Sequence, residues 1–426
     1  MFHLGSYARH FLGFVLICFF ALMLGQFYAV QAFGAAGFEV PVNEQASDIL
    51  PKELLAGKDY RINNTVISYG YMHTYRVDSD FAPFEVTGGI ALRKLLREIW
   101  AIGIMQETRK SEAYLKGLKN AASQPIEFGA NLITDPVDTI TGVPRGVARL
   151  FENVKTGLTT KSAPGEDSKV KQALAVSSNK RELAAQLGVD VYSSNTALQK
   201  ELNSLAWATA IGSLSLSAAL APVGGAAAAT VSATRVSQQL NDVLREYPPQ
   251  RLRQMNDDKL RAMGIPSDLV TRFLDHPSYT PTQETVIVQS LASLSGAKRR
   301  EVLLKLALSA DDEESANFFM NTAETLGGYQ SKVAPIKDLS VYGPLVFAKA
   351  ANDTVLIPLP LDHGIWTEMA SRRVPMAMAA FKGANPGSQK FEAWVTGTVS
   401  ELAKEEMAKL GIQVVEKVVN RIEFVY

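Results

Sequence analysis

The sequence predicts an α+β fold, predominantly helical, and three observations carry that expectation. Apolar residues recur at the 3.6-residue helical spacing through residues 90–118 and again across much of 168–329. Two-residue alternation is confined to residues 61–86 and to the stretch beyond 339. A strand–helix–strand pattern over 390–419 reads as a βαβ unit whose strands are parallel neighbours. The expected architecture is an N-terminal β-hairpin plus long helix, a helical middle domain, and a small C-terminal α/β domain.

The first element is a leader. Arg9 and His10 precede Phe11–Gly25, and no charged residue occurs from Phe11 to Phe38. Val30-Gln31-Ala32 places small residues at −3 and −1, so residues 1–32 have the form of a secretory signal peptide. Two fates remain open. Cleavage after Ala32 releases a mature chain; retention leaves an uncharged stretch longer than the roughly 20 residues a span needs. Gln26, Gln31 and the Gly/Ala-rich tail weigh against retention. Either fate puts the remainder outside the cytoplasm, periplasmic or extracellular, and membrane-tethered if the leader stays.

Cys18, the single cysteine, lies inside this leader. Val15-Leu16-Ile17 before it lacks the small pair of a lipoprotein signal. The mature chain is therefore expected to have no disulfide, thiolate nucleophile or cysteine metal site. It is long enough to build its cores without them. Lys+Arg and Asp+Glu each number 43, and removal of the leader takes away only Arg9. Such neutrality argues against an electrostatic nucleic-acid partner.

Residues 33–158 form the first expected domain. Residues 39–60 read as an extended arm and a short helix. Arg61–Asp78 reads as one strand, Asp78-Ser79-Asp80 as a turn, and Phe84-Glu85-Val86 as the return strand. After Gly88-Gly89, a helix is expected over Ile90–Leu118, with a stripe of Leu92, Leu95, Leu96, Ile99, Trp100 and Ile102. Pro125, Pro136 and Pro144 turn residues 123–147 into a wrapping segment, followed by a brief helix at Val147–Val154. Residues 159–167 (TTKSAPGED) read as a linker.

A helical domain is expected over 168–335. Ser168–Ala185 opens it, and Asn195 is positioned to cap a helix beginning at Thr196. Further helices are expected at Pro249–Met263, Ser267–Leu274, Thr282–Ser293, Lys298–Leu308 and Asp311–Tyr329. Asp311, Asp312 and Glu313 suit the positive end of the last. Leu202–Thr234 carries no charge and is rich in Ala, Ser and Gly. It reads as a helix buried in a soluble core or as a membrane-associating segment, and its serines and threonines favour the first.

Residues 336–426 form the last expected domain. Strands are expected at Leu339–Ala348, Thr354–Leu359, Lys390–Val395 and Ile412–Val419. Helices are expected at Gly364–Ala380, kinked or cut by Pro375, and at Ser400–Leu410, closed by Gly411.

Candidate sites are few. On a strand running through 61–78, Tyr69, Tyr71, His73 and Tyr75 share one face and offer flat rings with hydroxyls to a ligand. The alternative is an ordinary sheet face packed on the following helix. Asp362 and His363, after a strand and before a helix, are the catalytic candidates, because such loops often carry function. Asp275-His276-Pro277 reads as a helix end. The scattered histidines show no metal spacing, so neither metal nor cofactor is expected.

Ser177-Ser178-Asn179-Lys180 and Ser295-Gly296-Ala297-Lys298 fit S-x-x-K, but Lys155-Thr156-Gly157 precedes both, the reverse of the serine β-lactamase order. Asn63-Asn64-Thr65 and Asn352-Asp353-Thr354 fit the glycosylation pattern. The function expected is that of an exported envelope protein with a structural or binding role toward an envelope protein or ligand. The alternatives are a membrane-associating protein using 202–234, and an envelope hydrolase using His363 or His73.

Overall fold

A computed structural model describes residues 37–112, 114–116, 166–210, 235–387 and 389–425. The leader with Cys18 and Ala32, the wrapping segment, the Val147–Val154 helix, Lys155-Thr156-Gly157, most of the linker and residues 211–234 lie outside them. The described chain is helix-rich α+β with two five-stranded sheets, as its periodicity requires.

The first sheet contains β1 (Glu44–Gln45), β2 (Tyr60–Ile62), β3 (Thr65–Tyr69), β4 (Met72–Ser79) and β5 (Pro83–Thr87), with a short α1 (Ala46–Ile49) after β1. The single strand expected over Arg61–Asp78 is instead three. A two-residue turn at Gly70-Tyr71 reverses the chain, so that Tyr69 pairs with Met72. Gly70 has φ +61°, which glycine adopts without steric penalty. Along one side β4 pairs with β3 and then β2; along the other it pairs with β5. Ile62, Val66, Tyr75 and Val77 pack from this sheet onto Leu92, Leu95, Leu96 and Ile99 of α2 (Gly89–Lys110).

The next turns of α2 bury Ala101, Ile102 and Met105 against α3 (Glu166–Leu187) and α4 (Thr196–Ala210). Glu166 and Asp167, at the end of the expected linker, already belong to α3. Asn195 caps α4 as expected, its Oδ1 accepting the N–H groups of Ala197 at 3.1 Å and Leu198 at 3.2 Å. The described start of the uncharged run, 202–210, lies in α4 and buries Leu202, Leu205, Ala206 and Ala208. Among the described residues no helix is long and apolar enough to cross a membrane.

Six helices follow: α5 (Arg235–Glu246), α6 (Pro249–Ala262), α7 (Ser267–Leu274), α8 (Pro281–Ser293), α9 (Glu301–Ala307) and α10 (Glu313–Lys332). Their starts are written locally. Thr280 and Gln283 form a capping box on α8, and Asp312 and Ser315 form one on α10.

The second sheet has strand order β12-β10-β8-β7-β6. Its strands are β6 (Ile336–Tyr342), β7 (Leu345–Ala350), β8 (Thr354–Leu359), β10 (Lys390–Val395) and β12 (Ile412–Val415). The expected strand Leu339–Ala348 is broken into β6 and β7 by a hairpin at Gly343-Pro344, with Gly343 at φ +56°. β10 and β12 are parallel, joined by α12 (Glu401–Lys409), as the βαβ pattern predicts. α11 (Glu368–Ala384) runs on through Pro375 rather than ending there. Leu339, Val346, Ala348, Leu356 and Trp394 share a core with residues of α8, α9 and α10. Phe347, Val355, Ile357, Ala393 and Val395 pack on α11 and α12. The sheet is thus the middle of three layers. Beyond β8, the two-residue strands β9 (His363–Gly364) and β11 (Thr398–Val399) pair in parallel.

Candidate functional site

The fold brings most of the sequence-selected residues to one place, the junction between the first sheet and the β8–β9 loop. Asp362 enters it from that loop. Its Oδ2 accepts the His73 N–H at 2.9 Å, and its Oδ1 accepts the Gly89 N–H at 2.8 Å. Gly89 is the first residue of α2, and the residue before it, Gly88, has no side chain with which to cap the helix. Asp362 therefore caps α2 from 273 residues away, placing a carboxyl at the positive end of the helix dipole. Burial pushes Asp362 above the usual carboxylate range, against the pull of these two N–H groups and of His73.

The approach that makes this contact possible depends on Gly397. A Cβ there would sit 1.9 Å from the Asp362 carbonyl oxygen. The backbone completes the attachment. The Tyr71 carbonyl accepts the N–H groups of Asp362 at 3.1 Å and His363 at 3.2 Å, and Thr398 N–H donates to the Asp362 carbonyl at 3.0 Å.

His73 is only 5% exposed. Its Nδ1 lies 3.3 Å from the Tyr75 hydroxyl. Its Nε2 lies 3.4 Å from Glu44 Oε1, within ion-pair reach but not aligned as a hydrogen bond, so that nitrogen is buried without a hydrogen-bond partner. Ser68 stands directly opposite His73 on β3, and its buried Oγ is likewise without one. The His363 ring faces His73, with centroids 6.4 Å apart and planes 17° from parallel. Thr398 Oγ1 holds His363 Nδ1 at 2.8 Å. Burial pushes the phenols of Tyr71 and Tyr75 up, keeping both as neutral hydrogen-bonding groups. Tyr71 bonds the Thr367 hydroxyl at 2.8 Å.

The four aromatics expected on one strand face are divided by the hairpin. Tyr69 ends β3 and is 48% exposed, Tyr71 lies in the turn, and His73 and Tyr75 alone share a face of β4. Asp362 and His363 are adjacent to them, but Asp362 holds backbone amides and the orienting contact on His363 comes from Thr398. Sequence reasoning missed Glu44, Ser68, Gly89 and Thr398. The one local signal was the Gly88-Gly89 pair, a helix start with no capping side chain of its own.

The other singled-out motifs lie elsewhere. His276 sits at the end of α7, its Nε2 3.2 Å from the Leu308 carbonyl oxygen, as a helix-end residue would. Ser177 and Lys180 lie on α3, where Ser177 Oγ accepts from Arg181 and burial lowers the Lys180 amine to about 8. Asn63 and Asn352 are both exposed, in turns between strands. Among the described residues, no group of three or more His, Cys, Asp or Glu side chains converges as a metal site.

A second polar cluster lies along α2. Lys94 Nζ stands 3.7 Å from Glu98 Oε1 and 3.5 Å from Asp190 Oδ2. Glu98 also accepts from Ser193 at 2.7 Å and from Asn195 at 2.9 Å, and Asp190 accepts from Thr282 at 2.6 Å. These bonds tie α2 to the 188–195 loop and to α8. Comparison of the chain with protein-family models, with curated proteins and with solved structures gives no match.

Proposed function

We propose that this chain is an exported component of a bacterial-type cell envelope, with a structural or partner-binding role rather than a catalytic one. Two considerations support the reading. The basic start, uncharged core and Val30-Gln31-Ala32 of residues 1–32 have the order of a secretory signal. The second is the arrangement of Asp362, the observation that carries the proposal. Both of its oxygens accept backbone N–H groups. A carboxylate serving acid–base catalysis through histidine would instead be directed at a ring nitrogen. The partner is an envelope protein or ligand, and an uncleaved leader would add contact with the membrane.

The experiment is fractionation of cells carrying the tagged chain, with sequencing of the mature N-terminus and cross-linking in the envelope. Recovery from the envelope with a start after Ala32 and a stoichiometric cross-linked partner is the expected result. Recovery only from the cytoplasm with the leader intact overturns export. Turnover of a defined substrate by purified protein overturns the non-catalytic role.

One observation favours a hydrolase as the second reading. His363 is partly exposed, and Thr398 fixes its Nδ1 while its Nε2 makes no hydrogen bond among the described residues. A general base needs such a fixed ring. Activity abolished by His363→Ala would establish that reading.

A further inference from the structure

His73 and His363 face each other across the junction between the first sheet and the β8–β9 loop, beside the hydrogen bonds that Asp362 and Tyr71 make there. We propose that the pair forms a proton-controlled clasp, closed while the two rings together carry at most one positive charge and loosened when both are charged. The inference stands on the geometry alone and does not depend on the reading above.

The charges around the pair give its logic. Glu44 from β1 lies 3.4 Å from His73 Nε2, and Asp362 is coupled electrostatically to His73 and to Glu44. Glu314, in the first turn of α10, acts on Asp362 and bonds Thr87 at the end of β5. Tyr75 on β4 is neutral and bonds His73 Nδ1. From α2 comes Arg93, which acts on Tyr75, and from α11 comes Arg373, which acts on Tyr71. β3 contributes Ser68 and β11 contributes Thr398, neither of them charged.

Glu44 is the carboxyl within ion-pair reach of a ring nitrogen, and it balances one imidazolium. A second imidazolium leaves one positive charge without a counter-ion, on a ring whose centroid is 6.4 Å from the first. Burial raises Asp362, so acidification adds no negative charge beside the rings. Like charges this close repel, so the second charge opposes closure. Histidine changes charge between about pH 5 and 8, which sets the range of the test.

Release would expose amides whose partners sit at the junction. They are His73 N–H and Gly89 N–H on Asp362, and Asp362 N–H and His363 N–H on the Tyr71 carbonyl. Hydrogen exchange of the full chain, expressed as protection so that the intrinsic pH dependence is removed, reads them directly. Between pH 8 and 5, protection at these four amides is expected to fall about tenfold relative to amides of α8. His363→Asn keeps a polar group for Thr398 and removes the second charge, so its protection is expected to stay level. NMR of the two imidazole C–H groups in the native chain is expected to show two separate titration steps. Level protection in the native chain, an equal loss in His363→Asn, or one shared titration step overturns the proposal. If His363→Asn fails to fold at pH 8, the native exchange and imidazole titrations decide alone.

Discussion

Replacement of Glu324 by glutamine should flatten part of the pH dependence of stability, in a direction opposite to ordinary acid denaturation. Glu324 lies on α10 and is buried, with Oε1 accepting the Val425 N–H at 2.6 Å and Oε2 without a hydrogen-bond partner. Burial pushes its carboxyl up to about 8 from an ordinary value of 4.5. The folded chain thus holds a proton that the unfolded chain has already released throughout that window. Linkage makes stability fall as pH rises from about 4.5 to about 8 and level off above it. A window of about 3.5 units corresponds to about 5 kcal/mol at full size. Glutamine is neutral at every pH and keeps an oxygen for Val425. The native stability minus that of Glu324→Gln should therefore fall by about 4 kcal/mol between pH 4.5 and 8.5. Glu284 on α8 is also pushed to about 8 by burial and follows the same sign, so the difference between the two chains isolates Glu324. Urea unfolding at pH 4.5, 6, 7 and 8.5, followed by far-UV circular dichroism, measures it. A difference constant to within about 0.5 kcal/mol across the series would refute the argument, because it would mean Glu324 is ionised in the fold.

Asp362→Asn keeps the side-chain shape but turns one acceptor into a donor facing either His73 N–H or Gly89 N–H, so a loss of about 2 kcal/mol is expected in urea unfolding at pH 7. Gly397→Ala places a methyl against the Asp362 carbonyl and should cost about 3 kcal/mol, read as a lowered Tm. Gly383→Ala, a helical site whose added Cβ meets nothing within 4 Å, should raise Tm slightly and serves as the control. Asn195→Ala removes the cap of α4 and one donor to Glu98, with an expected loss of about 1–2 kcal/mol in the same unfolding assay. Glu39→Ala removes the acceptor shared by Trp366 N–H and Ser400 Oγ, and should open the 38–42 arm to limited proteolysis at pH 7 while leaving exchange at Val425 unchanged.

What the sequence made legible was local. Asn195 caps the helix that follows it, Asp312 and Glu313 stand at the start of α10, and Lys390–Val395 and Ser267–Leu274 fall where their periodicity put them. The two hairpins were hidden for a physical reason. A two-residue turn preserves the alternation of apolar and polar residues on both sides, so only Gly70 and Gly343 betrayed it. That error mattered for the site, since it placed Tyr69 and Tyr71 on a face they do not occupy. Asp362 was selected for its neighbour His363, whereas its partners are two backbone amides at sequence separations of 289 and 273. No window of sequence contains that information.

The same device recurs at three places where distant segments meet. Glu39 Oε2 accepts the N–H of Trp366, Asp362 accepts those of His73 and Gly89, and Glu324 accepts that of Val425. Each bond spans at least 101 residues of chain. No cysteine follows residue 18, so no disulfide closes these loops. A carboxyl on a backbone amide is a reversible substitute, and its response to acid depends on the state in which the fold holds it. Glu324 is kept neutral by burial, and its grip on the tail survives acid. Burial raises Asp362 as well, but its junction sits beside two imidazoles, which gain positive charge in acid. The C-terminal tail and the sheet junction should therefore part company on acidification, the tail holding while the junction loosens. That contrast follows from which charges surround two otherwise similar hydrogen bonds.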